Sequence, residues 1–152
     1  MSHVRNELVF SRVIKVIFPN GNTREVTQLQ TKKWSDFSAP ENTKIMRDIV
    51  HKTRDLNTSF IHPILVHCSA GVGRTGTFIA VYKLTDEYLS SRKRNLDYLD
   101  LQLKKKHLDV YSTVMEMREQ RMKMVQRPEQ YVYIFKCLRD EVKSIEGDYY
   151  EV

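Results

Sequence analysis

Cys68 and Arg74 stand with five residues between them, in the run His67-Cys68-Ser69-Ala70-Gly71-Val72-Gly73-Arg74-Thr75-Gly76. Each residue type answers a requirement of phosphate-ester chemistry: a nucleophile beside a dianion, donors for three equatorial oxygens, and a guanidinium fork. A loop of this length can curl so that its backbone N–H groups face one centre, which the sulfur and the fork also reach. Convergent amides and a helix N-terminus can bring a thiol from about 8.5 into a range of about 3.5 to 7.5, so Cys68 is expected as a thiolate. Gly71 and Gly73 allow close backbone approach or positive φ.

The flanking segments give this loop a strand before it and a helix after it. Ile64, Leu65 and Val66 form an unbroken apolar run, the pattern of a strand buried on both faces of a sheet. Phe78, Tyr82, Leu84, Tyr88 and Leu89 mark the helix. Strand, glycine loop and helix together aim backbone amides at phosphate.

Further upstream, Leu8 to Phe18 and Thr23 to Leu29, joined by the turn residues Pro19 to Asn22, predict a β-hairpin. Pro40 is placed to open a helix carrying Ile45, Ile49 and Thr53. Downstream, Ser90 to Asp109 is polar, with Leu96, Leu99 and Leu103 at helical spacing between the basic clusters Arg92–Arg94 and Lys104–Lys106. Val110, Val114, Met117 and Met124 predict another helix. Pro128 predicts the start of a last one that turns Val132, Phe135, Leu138, Val142 and Ile145 inward, with Cys137 as a packed thiol.

At His67 to Gly76 the sequence resembles the protein tyrosine phosphatase family, whose signature HCxxGxGR, Ser or Thr, then Gly is matched throughout. Gln28 to Gln30 leading to Trp34, Ser35, Asp36 and Phe37 is similar to the family's acid loop, and Met124 to Tyr131 to its glutamine loop. The resemblance implies an α/β fold with a mixed central sheet flanked by helices, and hydrolysis of protein phosphotyrosine through a phosphocysteine intermediate. It implies Cys68 as nucleophile, with Ser69, Ala70, Gly71, Val72, Gly73 and Arg74 as the phosphate loop. Asp36 would be the acid and then the base, Thr75 would stabilise the departing thiolate, and Gln126 and Gln130 would place the hydrolytic water. His67 would orient the loop and Trp34 would anchor or hinge the acid loop. No metal or cofactor enters this mechanism.

Residues 1–147 are thus expected to be a partial phosphatase catalytic domain, lacking the family's N-terminal part, and residues 148–152 a tail. The family usually has proline where Ser35 stands, so acid-loop closure is expected to be less well defined. An incomplete sheet should leave an apolar edge or face. A remnant that binds phosphotyrosine but turns over poorly is the alternative from another class. Uncharged Ala70 and Val72 argue against a phosphoinositide phosphatase, which often has lysines in this loop.

The remaining properties agree with this reading. A net charge of +6 attracts anions without choosing among them, and the basic clusters lack a nucleic-acid recognition motif. Two separated cysteines signal neither a zinc site nor a disulfide framework, which suits a reducing cytoplasmic setting. The longest apolar runs fall far short of the about 20 residues of a membrane span. Expected partners are phosphotyrosine proteins, with no nucleic acid.

Overall fold

The computed structural model describes residues 9–57, 62–93 and 108–147. Strands β1 (Phe10–Ile17) and β2 (Thr23–Gln30) form the expected hairpin, antiparallel with Val13 opposite Thr27 and Ile14 opposite Val26. The Phe18 N–H donates to the Asn22 carbonyl at 2.8 Å and closes the turn. Ile14 and Val16 lie on one face and Val13 and Ile17 on the other, and all four are exposed. A sheet with apolar residues on both faces is built to be covered on both.

Helix α1 (Lys44–Leu56) begins four residues later than Pro40, because the Asn42 side chain accepts from the Lys44 N–H at 3.1 Å and fixes the first turn there. It buries Ile45, Met46, Val50 and Thr53. Helix α2 (Gly73–Lys93) is central and packs against α1, α3 (Val110–Gln120) and α4 (Pro128–Glu146). Ala80, Val81 and Leu84 of α2 meet Trp34, Val114, Tyr133 and Ile134 in the core. Asp109 caps α3 by accepting from the Ser112 N–H at 2.9 Å.

Three expectations are corrected. Ile64–Val66 is not a strand: among the described residues no neighbour offers it a ladder, and Leu65 is 90% exposed. Met124 lies beyond α3, buried in the turn that follows it. In α4 the buried stripe runs Gln130, Tyr133, Ile134, Cys137, Leu138 and Glu141, while Val132 and Phe135 face solvent. Two polar members, Gln130 and Glu141, hide that stripe from a reading of apolar spacing alone.

The polar members tie α4 to the start of α1. Glu141 is buried, with Oε2 accepting from Arg47 Nε at 2.8 Å and Oε1 2.9 Å from His51 Nε2 without hydrogen-bond geometry, while Thr43 donates to Asp140 at 2.7 Å and the Tyr133 hydroxyl to the Asn42 carbonyl at 2.9 Å. Burying a carboxylate requires such partners. The consequence is a fixed anchor for the segment that runs from β2 through Trp34 and Asp36 into α1. Leu96, Leu99 and Leu103, the cluster Lys104–Lys106 and the tail 148–152 lie outside the described residues.

Candidate active site

The phosphate loop ends where α2 begins. Gly73 and Arg74 are the first residues of a 21-residue helix, so the positive end of its dipole lies at the phosphate loop. The Gly71 N–H donates to the Cys68 sulfur at 3.2 Å. Burial raises the Cys68 thiol, but hydrogen bonding from the Thr75 hydroxyl and from the amides of Thr75, Gly71 and Val72 outweighs it and holds the thiol below its ordinary value. The Thr75 hydroxyl is buried and pairs with no other group among the described residues, which leaves it to the sulfur.

The two loop glycines meet different needs. Gly71 has φ +70°, the left-handed region that an L side chain disfavours. Gly73 faces Gln130, whose Nε2 would stand 2.9 Å from an added Cβ.

Arg74 joins the phosphate loop to the acid loop. Its Nη1 donates to the Trp34 carbonyl at 2.8 Å and its Nη2 to Asp36 Oδ1, while the Ser69 hydroxyl donates to Asp36 Oδ2 at 3.1 Å. Cys68, Arg74 and Asp36 are thereby brought to one place from positions far apart in the chain. Trp34 is 7% exposed, donates from Nε1 to the Ser38 carbonyl at 2.8 Å and packs on Tyr133 with ring centroids 5.9 Å apart. It anchors the acid loop.

Two expected residues behave differently from their sequence reading. Gln130 is 1% exposed, and its Oε1 accepts from the N–H groups of Gln126 at 3.1 Å and Arg127 at 3.2 Å. Its Nε2 donates to the Ser38 carbonyl at 3.4 Å. Those bonds occupy the amide in positioning the acid and glutamine loops, whereas the side chain of Gln126 is exposed. His67 is exposed and makes no hydrogen bond among the described residues, so no orienting bond is seen.

Three basic residues that the sequence reading passed over also hold this region. Arg118 donates to the carbonyls of Met124 and Val125, both at 3.0 Å, and Arg121 to the Ala70 carbonyl at 3.2 Å. The Arg127 guanidinium lies 5.1 Å from the centre of the Phe37 ring. Only their clustering beside the glutamine loop could have flagged them. Among the described residues the non-glycine positions with positive φ are Phe37, next to Asp36, and Lys123 and Val125, in the turn that leads to Gln126. Each stores about 1–3 kcal/mol that surrounding contacts must offset. The Val125 N–H does so by donating to the Val72 carbonyl at 3.0 Å.

Cys137, by contrast, is fully buried in α4, and burial pushes its thiol up to about 12. It is a packing residue. Among the described residues no three His, Cys, Asp or Glu side chains cluster as metal ligands, and no helix is long and apolar enough to cross a membrane.

A thiol held low, a guanidinium and a carboxylate gathered at a helix N-terminus are the arrangement expected at the site of a cysteine-dependent phosphatase. Residues 2–140 match the family described as protein-tyrosine phosphatase, and the chain belongs to that family. A receptor-type tyrosine-protein phosphatase of Caenorhabditis elegans is 35% identical over 84% of the chain, which corresponds to 8% of that protein. The crystal structure of the Trypanosoma brucei protein tyrosine phosphatase TbPTP1 matches 91% of the chain with a TM-score of 0.70 and 33% identity. A structure of PTPN18 in complex with HER2-pY1248 phosphopeptides matches 90% with a TM-score of 0.72 and 31% identity. The chain spans under half the length of these solved chains, 45% and 46% respectively. The expected phosphatase-like α/β fold with an incomplete sheet is therefore the fold of this chain.

Proposed function

We propose that this chain carries the catalytic centre of a phosphatase that hydrolyses phosphotyrosine on proteins through a phosphocysteine intermediate. The observation that carries the reading is the link from Arg74 to both Trp34 and Asp36, beside a thiol held low by Thr75 and loop amides. A phosphoryl group would take the fork that Asp36 now occupies. The Cys68 thiolate forms the S–P bond as the P–O bond to the tyrosyl oxygen breaks, and Asp36 delivers a proton to that oxygen. Water then attacks phosphorus, Asp36 takes its proton, and the P–S bond breaks to release inorganic phosphate and the thiolate, which the Thr75 hydroxyl stabilises.

Gln126, with its free side chain, is assigned to placing the water, and Gln130 to holding the two loops. Phosphotyrosine peptides as substrates are supported by the phosphopeptide complex of the similar PTPN18. Two free cysteines, one of which must stay reduced to act, support a reducing cytoplasmic setting.

A second reading, a module that binds phosphotyrosine with slow turnover, draws on Ser35 and on the exposed Ile64–Leu65 segment that leads into Cys68. Phosphate release from a phosphotyrosine peptide by the wild-type chain, Cys68→Ser and Asp36→Ala separates the two. Turnover by the wild type, abolished in Cys68→Ser, supports the enzyme. Peptide binding without release by the wild type supports the module.

A further inference from the structure

We propose that Arg127 is the latch that holds the acid loop over the phosphate loop, acting through the ring of Phe37. Phe37 follows Asp36 directly, has φ 59° and is 58% exposed, so burial does little to hold its strained backbone. The contact made to its ring is the Arg127 guanidinium, 5.1 Å from the ring centre. Among the described residues no carboxylate pairs with Arg127, which leaves its charge to the face of the ring.

Arg127 is itself fixed. Its N–H donates to Gln130 Oε1 at 3.2 Å, and the same Gln130 amide donates to the Ser38 carbonyl on the far side of Phe37. The acid loop is therefore gripped at Ser38 by Gln130 and at Phe37 by Arg127, both from the start of α4. A grip on this stretch matters here because Ser35 leaves the backbone next to Asp36 freer than a proline would. Arg127 is a positioning residue, since it reaches the chemistry only through Phe37 and Asp36.

The catalytic consequence rests on the phosphatase reading, but the latch is a conformational claim that can be read without turnover. Trp34, on the same loop, is the single tryptophan of the chain. Acrylamide quenching of Trp34 is therefore measured in Arg127→Ala, Arg127→Met, Arg127→Lys, Phe37→Ala and Arg127→Ala/Phe37→Ala, with helical circular dichroism to establish that each is folded. An exposed cation–π contact corresponds to about a two- to fivefold change in a closing equilibrium.

Arg127→Ala, Arg127→Met and Phe37→Ala should raise quenching, the double variant should add nothing further, and Arg127→Lys should retain part of the protection. Unchanged quenching in folded Arg127→Ala and Arg127→Met, or effects that multiply in the double variant, would overturn the latch. These results stand even if the wild type releases no phosphate. Where it does, Arg127→Ala should lower kcat about two- to fivefold on phosphotyrosine, leave KM unchanged, and spare an aryl phosphate whose leaving group needs no proton.

Discussion

Cys68 and Cys137 carry the same thiol into opposite surroundings, one ringed by donors and the other packed in apolar side chains. Because the folded Cys68 is held below the ordinary thiol range, its thiolate persists as pH falls to values at which an unfolded thiol is already protonated. Stability from this group is accordingly full above the unfolded pKa and lost as pH drops through the folded one. Iodoacetamide at pH 6 should alkylate Cys68 selectively in the folded chain and leave Cys137 untouched, as read by peptide mass spectrometry. Thr75→Val, which removes the hydroxyl donor and keeps the shape, should slow that reaction and move its pH profile upward. Asp36→Ala should lower kcat for phosphotyrosine by about 10²–10⁴, the range of a positioned general acid, and remove the acid-dependent limb of the pH profile.

At the scale of elements, the site is a meeting of two loops on the first turns of α2 and α4. Gly73→Ala would drive a Cβ against the buried Gln130 amide, which is held by bonds to Gln126, Arg127 and Ser38. It should destabilise the chain by about 1–3 kcal/mol in urea unfolding. Ser35→Pro should do the reverse by about 0.4–1 kcal/mol, since no hydrogen bond from the Ser35 N–H is lost. The hairpin was legible from the sequence because turn residues bound its two apolar runs, whereas α2 was legible as a helix but not in its buried face, where Thr77, Ala80 and Thr85 lie beside Val81, Leu84 and Tyr88. The inward face of α4 was not legible either, because Gln130 and Glu141 are buried for their hydrogen bonds and ion pairs. Nor was the absence of a strand at Ile64–Val66, where an apolar run specifies burial but only neighbouring strands can supply it.

On the whole molecule, the helices enclose a core while the hairpin offers apolar side chains on both faces, with Leu65 beside the phosphate loop equally bare. Such surface is an association hazard. Ile17→Lys with Val26→Lys should shift the chain toward monomer in sedimentation velocity without changing its helical circular dichroism. Cys68 and Arg74 were readable from the residue types and spacing of their loop and Asp36 only through its resemblance to the family's acid loop, and the structure brings the three together. Arg118, Arg121 and Arg127 escaped because their work is to hold backbone carbonyls and a ring, which many residue types could do elsewhere. The most direct test of the whole account is a rapid acid quench of the wild-type chain mixed with a phosphotyrosine peptide, followed by mass spectrometry of the Cys68 peptide. A phosphoryl group on Cys68, absent in Cys68→Ser, is the result that follows from this site. Release of phosphate with Cys68 unmodified throughout the first turnover, or release undiminished in Cys68→Ser, would contradict it.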